Sequence, residues 1–139
     1  MSEHSFLIDS SVWIKFLRRG TPPNISLRID ELLSRGVVST NGVLKLEILS
    51  GAHNEQEFQD YSARFDALHQ LAIHDGTWHA AARLGYDLRR QGVACLTPDL
   101  IIAASAMEHD AVLIHADADF DRIASNSELR VESFVEGLS

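Results

Sequence analysis

Short apolar runs and longer amphipathic stretches alternate along this chain. The runs fall at 5–8, 36–39, 71–73, 111–114 and 130–134, each about as long as a strand. Between them, apolar residues recur with helical spacing. Residues 11–18 predict one helix, and 25–35 a second with Ile25, Ile29, Leu32 and Leu33 on one face. A third helix covers 43–51. Phe58, Tyr61, Phe65 and Leu68 mark a stripe through 54–70, and Trp78, Ala81, Ala82, Leu84, Gly85 and Leu88 another through 77–91, stopped by Gly92. Thr97-Pro98 predicts a further start, with Thr97 as N-cap and Pro98 as the first helical residue. Strands separated by helices need crossover connections. The expected fold is therefore a single α/β domain over 1–139, a three-layer α/β/α sandwich with a mostly parallel central sheet.

Four acids sit at hinges between these elements. Asp9 ends Phe6-Leu7-Ile8, and Glu47 interrupts Val43-Leu44 and Ile48-Leu49. Asp99 opens Leu100-Ile101-Ile102-Ala103-Ala104, and Asp117 follows Ala111-Val112-Leu113-Ile114. Ligand sites of parallel sheets gather beyond the carboxyl ends of the strands, where Asp9 and Asp117 fall. Each aspartate alone is explained as a helix cap or a first-turn acid favoured by the helix dipole. Glu47 lies about 160° round its helix from Lys45, at ~100° per residue. That places it on an inner face with Val43 and Leu44, where a lone carboxylate costs several kcal/mol unless paired or bound to metal. Four like charges in one pocket require a cation or raised pKa values. The run His115-Ala116-Asp117-Ala118-Asp119-Phe120-Asp121 imitates a calcium loop, but Arg122 stands where that loop needs glycine. The better reading gives Asp117 to the site and makes Asp119 the cap of a short helix, Phe120–Ala124.

Composition narrows the chemistry. With 139 residues, 45% hydrophobic and 23% charged, the chain can bury a core, and no apolar stretch nears the ~18 residues of a membrane span. The N-terminus carries no secretory pattern, and the one cysteine, Cys95, fits a reducing cytoplasm. A net charge of −8 at pH 7 argues against a generic nucleic-acid binder, so a polyanionic substrate would need cations to offset the acids. Candidate substrate-binding groups are Lys15, Arg18 and Arg19 at the end of the first helix, with Arg83, Arg89 and Arg90 further on. They read equally well as solvated helix surface. Val12, Trp13, Ile14, Phe16 and Leu17 spread over roughly 200° of the first helix, wider than a half-buried helix needs. Either that helix is deeply buried or part of it lines a groove for a partner.

Leu7-Ile8-Asp9-Ser10-Ser11-Val12-Trp13-Ile14, Leu46-Glu47-Ile48-Leu49-Ser50-Gly51-Ala52, Pro98-Asp99 through Ala106, and Asp117-Ala118-Asp119-Phe120-Asp121-Arg122-Ile123 together resemble the PIN-domain superfamily. In particular they resemble the VapC-type toxins of bacterial toxin–antitoxin modules. The pieces come in the family's order and cover nearly the whole chain. The resemblance implies a PIN-like fold and a Mg²⁺- or Mn²⁺-dependent endoribonuclease acting on RNA phosphodiesters. Asp9 and Asp99 would be the principal metal ligands, Glu47 and Asp117 would complete the site, and Asp119 and Ser11 would support it. It also implies a homodimer and a cognate antitoxin whose tail occupies the active-site groove. His115 departs from the family's usual threonine or serine, and is expected to pack rather than to contact phosphate. The competing readings are a structure-specific DNA nuclease and a catalytically silent PIN-like scaffold.

Overall fold

The computed structural model describes residues 5–18 and 20–135. Twelve elements follow in the expected order: β1 (Phe6–Ile8), α1 (Ser10–Phe16), α2 (Pro23–Ser34), β2 (Val38–Thr40), α3 (Gly42–Ser50), α4 (Glu55–Asp66), β3 (His69–Gln70), α5 (Asp75–Arg90), α6 (Thr97–Glu108), β4 (Val112–His115), α7 (Ala118–Ser125) and β5 (Val131–Ser133). The strands form one sheet in the order β3-β2-β1-β4-β5, and every pairing is parallel. Such a sheet buries both faces under its crossover helices.

Alternation along β1 assigns the two sides. Leu7 packs with Leu44, Leu88, Ile102 and Phe120, from α3, α5, α6 and α7. Ile8 faces the opposite way, into Val12, Trp13, Ile29 and Phe65 from α1, α2 and α4. The result is the expected α/β/α sandwich, with the short central strands almost wholly buried.

Local chemistry sets most boundaries. Asn41 caps α3 by accepting from Leu44 N at 3.0 Å, and Asn54 caps α4 by accepting from Glu57 N at 2.8 Å. Helix α5 stops at Gly92, whose φ of 82° lets Val93 N reach back to Leu88 O at 2.9 Å. Some boundaries differ from the sequence expectation. The ladder of β3 lies at 69–70 rather than 71–73, although Leu71 is buried and still donates to Thr40 O at 2.8 Å. Helix α6 begins at Thr97 with Leu96 as N-cap, one residue early, and Pro98 lies within its first turn. Phe58 leaves its stripe and is exposed, while Phe65 alone of that stripe is fully buried.

Candidate active site

Asp9 leaves β1 and caps α1. Its Oδ2 accepts from Ser11 N at 3.0 Å and from Ser11 Oγ at 2.5 Å. Ser11 Oγ in turn accepts from Ala116 N at 3.0 Å, which ties the exit of β1 to the exit of β4. Asp9 is 4% exposed, and burial raises its carboxyl pKa; the Ser11 bonds oppose that shift and the charge of Asp117 adds to it.

Two residues past β4, Asp117 caps α7, accepting from Asp119 N at 2.9 Å. Its own N–H donates to His115 Nδ1 at 3.1 Å, so the neutral ring carries its proton on Nε2. That Nε2 stands 3.1 Å from Asp121 Oδ1 without hydrogen-bond alignment. His115 is fully buried, and burial holds its pKa below the ordinary histidine value. It packs, as the sequence implied, and also orients the loop that carries Asp117.

Asp99 lies in the first turn of α6. Burial pushes its pKa up to about 7, reinforced by the charges of Asp117, Asp9, Asp119 and Glu47 in that order. Oxygen atoms of Asp99, Asp117 and Asp119 all lie within 4.8 Å of one another. Glu47 accepts from Ser10 Oγ at 3.2 Å. Its pKa is raised by partial desolvation of the carboxyl and then by Asp9.

Three expectations change here. Glu47 is exposed rather than on an inner apolar face: Leu44 and Ile48 take the buried positions of α3, and Glu47 projects at the mouth of the acidic site. Glu47 therefore bears little of the burial cost expected of an inner face, yet it stands close enough to Asp9 to feel its charge. The cap of α7 is Asp117 rather than Asp119, and the helix starts at Ala118, two residues earlier than expected. Asp119 is instead a member of the tight oxygen cluster, whereas Asp9 lies outside it with one oxygen committed to Ser11.

The basic candidates lie elsewhere. Lys15 is exposed in the last turn of α1, Arg18 is exposed just beyond it, and Arg89 and Arg90 close α5. Arg83 pairs with Asp87 at 3.2 Å, and Arg19 lies outside the described residues. The cation that does reach the site is Arg122, whose Nη2 donates to Asp119 Oδ1 at 2.5 Å. Sequence reasoning passed over it. The i, i+3 spacing from Asp119 on a short helix was the available signal.

Carboxylate oxygens crowded together, with Arg122 paired to Asp119 of the cluster, form a donor set suited to a hard divalent ion. The residues fit Mg²⁺ or Mn²⁺.

Comparison with known proteins agrees with this geometry. Residues 6–126 match the PIN domain family. The chain is similar to ribonuclease VapC11 of Mycobacterium tuberculosis, 33% identical over 132 residues that span 92% of this chain and 98% of that one. Ribonuclease VapC51 of the same organism is 32% identical over 123 residues, covering 86% and 85%. Among solved structures, VapBC2 from Rickettsia felis, bound to a promoter DNA fragment, superposes with a TM-score of 0.76 at 17% identity, over 92% of this chain and 97% of that one. VapBC-1 from Haemophilus influenzae gives 0.74 at 22%, over 92% and 96%. At those identities the structures speak for the fold, and the sequence relatives for the family. A parallel sheet in this order, acids beyond its carboxyl edge, and matches over most of the chain identify it as a member of the PIN-domain family, of the VapC type.

Proposed function

We propose that this protein is the toxin of a toxin–antitoxin module, a Mg²⁺- or Mn²⁺-dependent endoribonuclease that hydrolyses RNA phosphodiester bonds. The observation that carries the reading is the acidic cluster: Asp99, Asp117 and Asp119 within 4.8 Å, with Asp99 raised to about 7 by burial and by its acidic neighbours. Its kinship to proteins named ribonucleases supports RNA as the substrate class.

In this reading Asp99 and Asp117 hold the cation, with Asp119 joining them and Asp9 completing the site from β1. The chemistry such a cation supplies when bound is charge neutralisation and polarisation of the scissile phosphate. The remaining work belongs to side chains. Ser11 fixes the carboxylate of Asp9, and its second bond, to Ala116 N, holds the two strand exits in register. Glu47, at the solvent margin with a raised pKa and oriented by Ser10, accepts the proton of the attacking water. Arg122 exchanges Asp119 for a phosphate oxygen as the strand enters.

An antitoxin is the second part of the proposal. Helix α1 divides its apolar residues: Val12 and Trp13 are buried, while Trp13, Phe16 and Leu17 also line a cavity of about 360 Å³ with Leu33, Phe65 and Leu68. An apolar trough of this kind suits the apolar face of an amphipathic helix, here the antitoxin's. Trp13 Nε1 lies buried there without an acceptor, so antitoxin binding is expected to shift Trp13 fluorescence. An unchanged spectrum in a formed complex counts against this location.

The test is cleavage of total cellular RNA by the purified, partner-free protein with Mg²⁺ or Mn²⁺, with EDTA, and with Asp99→Asn. Discrete fragments that vanish with chelator and with the substitution are expected. No RNA cleavage by folded, metal-supplemented protein overturns the reading; cleavage of structured DNA instead identifies a DNA nuclease, and inertness on both identifies a binding scaffold.

A further inference from the structure

Asp121 lies outside the oxygen cluster of Asp99, Asp117 and Asp119, and its place in the first turn of α7 is favourable to the helix dipole without further cause. Both of its oxygens are nonetheless engaged. Oδ1 stands 3.1 Å from Nε2 of the fully buried His115, and Oδ2 accepts from Ser133 Oγ at 3.0 Å. Ser133 Oγ also accepts from Val135 N at 3.2 Å, and Ser133 is the register partner of His115 across β4 and β5. The carboxylate is therefore held from the strand beside His115 as well as from its own helix.

The other side of the imidazole faces the loop that carries Asp117. Backbone N–H groups of that loop are fixed one after another. Ala116 N donates to Ser11 Oγ at 3.0 Å, Asp117 N to His115 Nδ1 at 3.1 Å, and Asp119 N to Asp117 Oδ1 at 2.9 Å. The middle bond exists in one neutral tautomer alone. With the proton on Nδ1, two N–H groups would point at each other and Asp117 would have to move.

The group that meets Nε2 decides which tautomer forms. An ionised carboxylate accepts and cannot donate, so Asp121 admits only Nε2–H. Burial strengthens the choice, because an N–H sealed from water without an acceptor costs the full desolvation of the group. Nε2 and Oδ1 are within bonding distance but out of line. The Asp121 side chain, 26% exposed, has the freedom to turn into line; the buried ring, packed 5.5 Å from Phe120, does not. An imidazole also suits the span. Its two nitrogens meet Asp117 N on one side and Asp121 Oδ1 on the other, which the single oxygen of a threonine or serine could not do.

We infer that Asp121 is a positioning residue for the acidic site. It holds His115 as the Nε2–H tautomer, so that the bare Nδ1 pins the Asp117 backbone and through it the Asp117 carboxylate, while Ser133 seats Asp121 from β5. Outer carboxylates orient metal-ligating histidines in the same way; here a backbone N–H stands in the place of the metal. The inference rests on the cluster being a cation site, but its first test needs no cation.

Long-range proton–nitrogen NMR correlation spectra of the metal-free protein near neutral pH are expected to show His115 with its proton on Nε2. A proton on Nδ1 in the parent overturns the inference. Asp121→Leu is expected to admit the Nδ1–H form and to weaken Mn²⁺ binding about tenfold in calorimetric titration. Asp121→Asn still accepts from Nε2–H and can donate to Ser133 Oγ, so it is expected to keep the parent tautomer and affinity. Ser133→Ala, at an exposed position, weakens Mn²⁺ binding in the same direction by less, with an unchanged circular dichroism spectrum. A purely structural Asp121 would lower stability to denaturant while leaving tautomer and affinity alone, and that result overturns the inference. Should Asp121→Leu fail to fold, Nε2–H in the parent with weaker binding in Ser133→Ala upholds it, and any other pairing overturns it. Mn²⁺ that does not bind the parent refutes the cation reading instead, and the tautomers of the parent and Asp121→Asn still decide the role of Asp121.

Discussion

Asp99 concentrates the conflict between stability and chemistry in a single carboxyl group. Its pKa in the fold, about 7, exceeds the ordinary value of 3.8. A group whose folded pKa is raised favours the fold while protonated. Its contribution is therefore fully present below about pH 4 and lost as pH rises through about 7. Asp9 and Glu47 shift in the same direction. Metal-free protein is accordingly expected to lose stability between about pH 4 and 7. Asp99→Asn is expected to raise metal-free stability at pH 7 by on the order of 1–2 kcal/mol, discounted for the solvent access of the site, while lowering cleavage by orders of magnitude. Chemical denaturation at two pH values, alongside an RNA cleavage assay, checks both arms; a metal-free Asp99→Asn protein less stable than the parent counts against the crowding argument. Arg122→Ala frees Asp119 of its cation and is expected to raise KM for RNA more than it lowers kcat. That residue was not legible in advance, because an i, i+3 pair on an exposed helix looks the same with or without a substrate nearby. Glu47 shows the converse: the wheel put it on the wrong face, yet the fold brings it beside Asp9.

Elements place these residues by their ends. Asp9 and Asp117 are helix N-caps directly beyond adjacent parallel strands, and Asp99 and Asp119 occupy first turns. Capping and ligation were competing readings from sequence alone. In the structure the same residue does the capping and faces the cluster, since one carboxylate oxygen bonds the helix N–H groups while the other remains available. The brace between elements is Ser11. Ser11→Ala removes the hydroxyl's bonds to Asp9 and Ala116 together while leaving the backbone bond to Asp9, and is expected to cost about 1–2 kcal/mol and to reduce divalent-ion affinity. Calorimetric titration with Mn²⁺ checks the second effect; unchanged affinity would make Ser11 purely structural. Asn41 does a similar service for α3, capping it and donating to Ser105 Oγ at 3.3 Å from a fully buried position. Asn41→Ala is expected to cost about 1–2 kcal/mol in denaturant unfolding. Element boundaries missed by one or two residues, as at Thr97 and 71–73, because strand ladders and first turns depend on pairing partners that local pattern does not reveal.

Across the whole molecule, the divalent ion is expected to act as a folding ligand. Crowded carboxylates destabilise the empty fold, so saturating Mn²⁺ raises the melting temperature at pH 7.5 by several degrees, and less at pH 5.5, where Asp99 is protonated. Differential scanning calorimetry with and without EDTA decides it; a pH-independent shift would mean that the ion binds elsewhere. The same scale separates what was legible from what was not. Sequence by itself determined the element order, the α/β/α layering and the four hinge acids, because apolar periodicity is a local record of which face each segment buries, and crossovers between short strands leave few topologies. Only the tertiary structure decided which carboxylates meet. Sheet order puts β1 between β2 and β4, bringing Asp9 and Asp117 to neighbouring strand ends, and the hairpin of α5 with α6 aims Asp99 at them. It also decided that Asp119 joins the cluster, that Glu47 stands at the mouth, and that Asp121 meets His115. Distances between residues far apart in the chain are set by packing, and no local pattern carries them.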